Sequence, residues 1–241
     1  MDPIFWIVLI AFLGPVIGSA IGVIKMPSFG YICNMLCFAA GVMLSISFLQ
    51  LIPESLAMSS PWISVLGVIL GSAVMYGLDR LIPHIHPRLC AQEQGCNLER
   101  TSIYLILGMF LHNFPEGMAI ATGTVTETKV SITVALAIAI HNIPEGICTS
   151  SPYYHSTGRR IRAFLLSSAT AIPVLLGYIS ARYIFQQVSP QMVALMISAT
   201  AGLMIYITVD ELIPNSCVGT DHKTIFSLIL GILLVILLEA I

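Results

Sequence analysis

The feature that most restricts how this chain can fold is the length it runs without a charge. No Asp, Glu, Lys or Arg occurs from Pro3 to Ile24, from Met26 to Pro53 or from Ser55 to Leu78, and similar gaps run from Ala163 to Ala181, Tyr183 to Val209 and Thr224 to Leu238. Only 9% of the 241 residues are charged and mean hydropathy is +0.93, whereas soluble domains are about a quarter charged. A bilayer-crossing helix needs about 20 apolar residues, and in lipid its backbone must be satisfied within the segment. The chain is therefore expected to be an all-α integral membrane protein with eight transmembrane helices, at about 3–24, 30–53, 61–83, 101–122, 130–150, 162–185, 190–213 and 224–240. These consume nearly everything, so 1–241 reads as a single transmembrane domain: helices 1–3 over about 3–83, a loop at about 84–100, helices 4 and 5 over about 101–150, and helices 6–8 over about 162–240. The first span is read as retained, because its apolar run is too long for a signal peptide and Met1-Asp2 begins acidic.

Basic residues set the expected orientation, since Lys and Arg collect in cytoplasmic loops. Lys25, Arg80, Arg88, Arg100, Arg159, Arg160, Arg162 and Lys223 share one side, and only Lys129 and Arg182 fall on the other. Both termini are then outside. The formal net charge of -2, with no basic patch, offers nothing to nucleic acid. Cys33, Cys37, Cys148 and Cys217 fall in or beside spans, while Cys90 and Cys96 share a loop that this orientation places in the reducing cytoplasm, so no disulfide framework is expected.

The chain also resembles itself. Gly41-Val-Met-Leu-Ser-Ile-Ser-Phe-Leu-Gln-Leu-Ile-Pro-Glu-Ser55 aligns without a gap on Gly202-Leu-Met-Ile-Tyr-Ile-Thr-Val-Asp-Glu-Leu-Ile-Pro-Asn-Ser216. These are predicted helices 2 and 7, which run in opposite directions. Weaker matches join Pro15-Val16 to Pro173-Val174 and Ile69-Leu70-Gly71 to Ile229-Leu230-Gly231. Helices 1–3 and 6–8 thus read as inverted halves around helices 4 and 5, a 3+2+3 arrangement of the kind secondary transporters use to hold substrate near the bilayer midplane.

Helices 4 and 5 each carry the same string: His112-Asn113-Phe114-Pro115-Glu116-Gly117 and His141-Asn142-Ile143-Pro144-Glu145-Gly146. His and Glu four apart share one helical face. Asn adds a carbonyl oxygen beside them, and each proline crowds the carbonyl four residues back, Leu111 or Ile140, so the helix should loosen there. A mid-bilayer glutamate costs roughly 3 kcal/mol, and no Lys or Arg lies mid-span to compensate two of them. A divalent cation would neutralise both, with His112 and His141 completing a mixed nitrogen and oxygen shell that suits zinc, iron, cobalt or manganese. A structural pairing of each His with its Glu explains one such motif more easily than two.

The paired motif, eight spans and short chain resemble the ZIP family of zinc and iron transporters over nearly the whole length. That resemblance implies His112, Asn113, Glu116, His141, Asn142 and Glu145 as metal ligands, Met43 as a position where some relatives supply a further one, uptake toward the cytoplasm, and an elevator-like motion in a homodimer. Relatives with two metals often carry a glutamate just before a proline in helix 6; here that stretch reads Ala171-Ile172-Pro173, so one principal site is expected. The cargo would be zinc, with iron, manganese, cobalt or cadmium also accommodated, no prosthetic group, and a cell membrane as the setting. Glu54, Asp210 and Glu211 are candidate waypoints at the two ends of the path. His84, His86, Cys90 and Cys96 could receive metal in the loop but match no closed zinc spacing, while His155, His222 and Glu239 read as loop or interfacial residues. An intramembrane metalloprotease would need His-Glu-x-x-His, which is absent, so no enzyme is expected.

Overall fold

Helix starts follow local chemistry. In the computed structural model, which describes residues 3–81, 98–123, 128–184, 189–216 and 222–239, Ser28 caps a helix by accepting a hydrogen bond from the Tyr31 amide at 3.3 Å. Ser189 does the same for Met192 at 3.3 Å, with Pro190 in the first helical position. The described residues form α1 (Pro3–Gly22), α2 (Phe29–Met58), α3 (Pro61–Leu81), α4 (Leu98–Gly123), α5 (Thr128–Thr157), α6 (Arg160–Tyr183), α7 (Pro190–Leu212, continued by Ile213–Ser216) and α8 (His222–Glu239). By length and composition, α2, α6 and α7 can each cross a membrane, and Val8–Gly22, Pro61–Gly77 and His222–Leu238 are shorter apolar stretches. His84, His86, Cys90, Cys96 and Cys217 lie outside the described residues, as do the side chains of His141 and Glu239.

Two expectations need correction. The fifth helix, expected to stop near residue 150, runs on to Thr157. Its hydroxyls bond carbonyls one turn back, Thr149 to Glu145 at 2.9 Å, Ser150 to Gly146 at 2.7 Å and Thr157 to Tyr153 at 2.7 Å, so Thr149-Ser150-Ser151 is helix rather than loop. Gly158, at φ 67, then ends it. The second correction concerns proline. Helix type is unbroken through Pro115 and Pro144. The irregular turns lie elsewhere: π turns at Ile46–Leu51 and Thr208–Leu212 precede Pro53 and Pro214, a 3-10 turn at Ala169–Ala171 precedes Pro173, and a further π turn at Ser180–Ile184 closes α6. In the three that precede a proline, the carbonyl that the ring crowds, four residues back, lies within the irregular turn.

The helices pack as two groups. α1 lies along α5, α4 packs on α5 and α6, and α6 also meets α1 and α5; separately, α3 lies along α7, and α2 along α8 and α7. Contacts of α2 with α5 and of α7 with α4 join the groups. Glycines set the closest approaches: a Cβ at Gly18 would meet the Ile143 carbonyl, at Gly177 the Phe114 carbonyl, at Gly146 the Pro15 carbonyl and at Gly117 the Val174 carbonyl. In the second group, Gly71 faces the Ala199 carbonyl and Gly231 that of Phe38, while Gly202 faces Val68 and Gly41 faces Leu228. Apolar side chains such as Ile24, Trp62, Ile69, Ile161 and Leu237 point outward and are exposed, Trp62 by 81%. Burying polar residues and exposing large apolar ones is how a bundle meets lipid rather than water.

Candidate functional site

The interior is where this chain keeps its chemistry. His112 and Asn142 are fully buried, and Asn113, Glu145 and Glu116 are 1%, 2% and 6% exposed. On α4, His112 and Glu116 stand one turn apart, with Nε2 2.8 Å from Glu116 Oε1. The same nitrogen lies 3.4 Å from Oε1 of Glu145 on α5, so one imidazole stands between two carboxylates from two helices. The structure thus brings together His112, Glu116, Asn142 and Glu145. His141 occupies its position in α5, but its side chain lies outside the described atoms. Among the described residues no three His, Cys, Asp or Glu form a ready metal-ligating group; the three acid and imidazole groups converge without closing a shell.

The two asparagines are oriented by chemistry. Asn142 Nδ2 donates to Glu116 Oε2 at 3.0 Å, and Asn113 Nδ2 donates to the Thr170 carbonyl at 2.6 Å. A carboxylate and a carbonyl only accept, so each amide nitrogen must point there and each Oδ1 must point away. Both Oδ1 atoms are buried and take no hydrogen bond from the described residues, and the same holds for both oxygens of Glu145. Unmatched buried acceptors are rare and costly. Four such oxygens beside a carboxylate-flanked imidazole are donors of the type a divalent cation takes.

Helix α6 contributes through Thr170, which the sequence did not single out. Ile172, where the acid of two-metal relatives was expected, is 46% exposed, and its buried neighbours Thr170 and Ala171 face inward. The readable signal was the polar run Ser167-Ser168-Ala169-Thr170 inside an apolar span. Met43 is fully buried in the cluster that joins α2 and α7 with Met204 and Ile207, and its sulfur lies 3.9 Å from the Thr208 hydroxyl, so it packs one helix of that pair against the other. Glu54 is exposed, Glu211 is buried in the π turn of α7, and Asp210 is half-buried beside it. Cys33, Cys37 and Cys148 are buried and reduced, Cys37 Sγ lying 2.9 Å from Ser216 Oγ and Cys148 donating to the Met35 carbonyl at 3.0 Å. His155 meets the Pro27 carbonyl at 2.8 Å, a tie between α5 and the turn before α2.

Comparison with known proteins shows the family. Residues 89–239 match the model of the ZIP zinc transporter family. The zinc transporter ZupT of Escherichia coli O127:H6 (strain E2348/69 / EPEC) is 37% identical over 206 residues, 82% of this chain and 80% of that protein. Zinc transporters ZupT of Escherichia coli O1:K1 / APEC and of Escherichia coli (strain K12 / DH10B) are each 36% identical over the same shares. With that family model covering more than half of the chain, and relatives of this identity covered over most of their length, the chain belongs to the ZIP family of zinc transporters.

Proposed function

We propose that this chain carries zinc, and with it iron, manganese, cobalt or cadmium, across a cell membrane into the cytoplasm by alternating access, binding the cation midway between α4 and α5. The observation that carries this reading is the set of buried acceptors, Glu145 Oε1 and Oε2, Asn113 Oδ1 and Asn142 Oδ1, that take no hydrogen bond among the described residues, around an imidazole shared by two acids. His112, Glu116, Glu145 and His141 are the principal ligands, Asn113 and Asn142 the accessory ones. Met43 is kept as a soft outer contact, and any second cation shares the same acids rather than Ile172.

The path needs a scaffold, which we read as one domain over 1–241 with eight crossings and both termini outside. An inverted repeat is supported by the way contacts exchange. Gly71 against Ala199 becomes Gly231 against Phe38, and Gly202 against Val68 becomes Gly41 against Leu228, in the registers of the Gly41–Gly202 and Ile69–Ile229 matches. Gly18 against Ile143 becomes Gly177 against Phe114, exchanging the two motifs. That last pair aligns Pro15 with Val174, one residue from the Pro15–Pro173 match that sequence alone suggested. The separate packing of α1, α4, α5 and α6 from α2, α3, α7 and α8 supports a sliding of one group past the other. As the family resemblance implies, the working unit is then a homodimer.

Radiolabelled zinc uptake into proteoliposomes tests the reading. The chain should accumulate zinc, and His112→Ala should lower the initial rate at least about tenfold, by the loss of a ligand whose geometry two acids define. Equal uptake by parent and variant would remove the site from this position. Proton competition gives a second expected result. Histidine and carboxylate ligands bind metal only after losing their protons, so apparent KM for zinc should rise as pH falls from about 7 toward about 5, through the ordinary imidazole range. A KM that is flat over that interval would argue against these ligands.

A further inference from the structure

The chain steps from the first helix group to the second along a run that is exposed almost throughout. Among the described residues, 23–28 is the connection between the groups, leaving α1 at Gly22 and entering α2 at Phe29. Its start is fastened to the first group. The Gly22 carbonyl accepts from Ser151 Oγ at 3.1 Å, and Val23, 4% exposed, packs in a cluster with Tyr153 of α5 and Ala163 of α6. The Val23 and Ile24 amides extend α1 as a turn, donating to the Ala20 and Ile21 carbonyls at 3.3 and 3.2 Å. Over 24–31 every residue is exposed except Pro27, which is buried.

Pro27 is where the connection is caught a second time. His155, in the last turn of α5, places Nδ1 2.8 Å from the Pro27 carbonyl. A carbonyl only accepts, so Nδ1 carries the hydrogen and donates it. Val23 and Pro27 are thus both held by the first group, and the exposed stretch 24–26 between them is a closed loop. Left free, 23–28 would reach about 20 Å at about 3.3 Å per residue. Beyond Pro27 only Ser28 precedes α2, and it is committed as the N-cap, accepting from the Tyr31 amide at 3.3 Å. A slide of the first group along α2 has therefore to open the His155 bond or to unwind the start of α2. Unwinding forfeits the cap and the helical bonds behind it, whereas the half-buried imidazole and the carbonyl exchange one bond for bonds to water.

We infer that His155 is a positioning residue for transport: its hydrogen bond to the Pro27 carbonyl is a clasp that takes up the slack of the α1–α2 connection, holds the first helix group at the position seen here, and opens when that group slides. The loop at 24–26 then becomes the length that the slide draws out. The inference deepens the transport reading and rests on it.

Zinc uptake into proteoliposomes, resolved into maximal rate and KM, decides the matter. Conformational steps commonly limit turnover, and one hydrogen bond is worth about two- to tenfold in a rate. His155→Ala should therefore raise the maximal rate by about two- to tenfold and leave KM for zinc unchanged. His155→Asn, whose amide nitrogen takes the place of Nδ1 and donates likewise, should behave as the parent. Chain length gives an independent arm. A Gly-Gly pair inserted between Pro27 and Ser28 supplies slack beyond the clasp and should raise the rate as His155→Ala does, whereas the same pair inserted between Lys25 and Met26, inside the fastened loop, should leave it at the parent's value. A maximal rate unchanged or lowered in His155→Ala, a change confined to KM, no rescue by His155→Asn, or the same response to both insertions would overturn the clasp. Loss of zinc uptake by the parent itself would strike the transport reading instead.

Discussion

Replacing Glu145 by glutamine is expected to abolish zinc uptake, by about a hundredfold or more, and at the same time to make the metal-free protein more resistant to heat. Both effects have one cause. A carboxylate within the bilayer costs about 3 kcal/mol, and among the described residues neither oxygen of Glu145 takes a hydrogen bond; the imidazole of His112 lies 3.4 Å away. On the proposed reading the charge is kept at a cost to stability because the cation needs it, the usual tension between a strained functional site and a stable fold. Glutamine keeps the shape and removes the charge. Thermal unfolding in detergent should therefore show a higher apo Tm for Glu145→Gln and a smaller rise on adding zinc, with uptake lost in parallel. A variant that is destabilised, or that still gains full stability from zinc, would show that Glu145 serves packing rather than the cation.

Gly18→Ala should be strongly damaging, because the added methyl group meets backbone. A Cβ there collides with the Ile143 carbonyl and comes within 3.0 Å of the Gly146 α-carbon, backbone on both counts. Overpacking of this kind costs about 1–3 kcal/mol even where neighbours can adjust. Ile143 lies between Asn142 and Glu145, so parting α1 from α5 also moves the site. Gly30→Ala is the matched control: it lies in the first turn of α2 and its Cβ would meet nothing within 4 Å, so alanine there should be neutral or stabilise by a few tenths to about 1 kcal/mol. Melting curves and uptake for the two variants separate backbone contact from glycine content. Similar Tm values for both would count against the close packing.

How much of this was legible in the chain depended on which physical force set each feature. Helices were readable because charge cannot enter the bilayer core, and Lys25, Glu54, Asp79 and Lys129 bracket the apolar runs. The meeting of His112, Glu116, Asn142 and Glu145 was readable because carboxylates inside such runs demand a partner. Helix ends made of serine and threonine were not, since these side chains serve a loop and a helical back-bond equally, which is why α5 outran its expected end by a turn and more. Nor was the role of α6. The family resemblance drew the eye to Ile172 as an acid replaced, while the helix acts through the Thr170 carbonyl, and a backbone atom has no letter in the sequence. The prolines show the same limit: each was recognisable as a disturbance, but whether the helix absorbs it, as at Pro115 and Pro144, or widens, as before Pro53 and Pro214, depends on the packing around it.

Those two widened turns make length itself part of the code. A π turn holds an extra residue, and each residue advances the helical phase by about 100°. Above the turn, the Phe29–Ser45 part of α2 lies along α8; beyond it, Ile52–Met58 packs on α7, with Ser55 Oγ 2.7 Å from Ser64 Oγ and 2.8 Å from the Ala194 carbonyl. The widened turn lets one rod present two differently aimed faces to two partners. Deleting a single residue from Ile46–Leu51 would change no side chain outside the turn, yet it would rotate everything after it by about 100°, taking Ser55 from both partners. In these two helices, then, the number of residues between landmarks carries as much structural meaning as their identity.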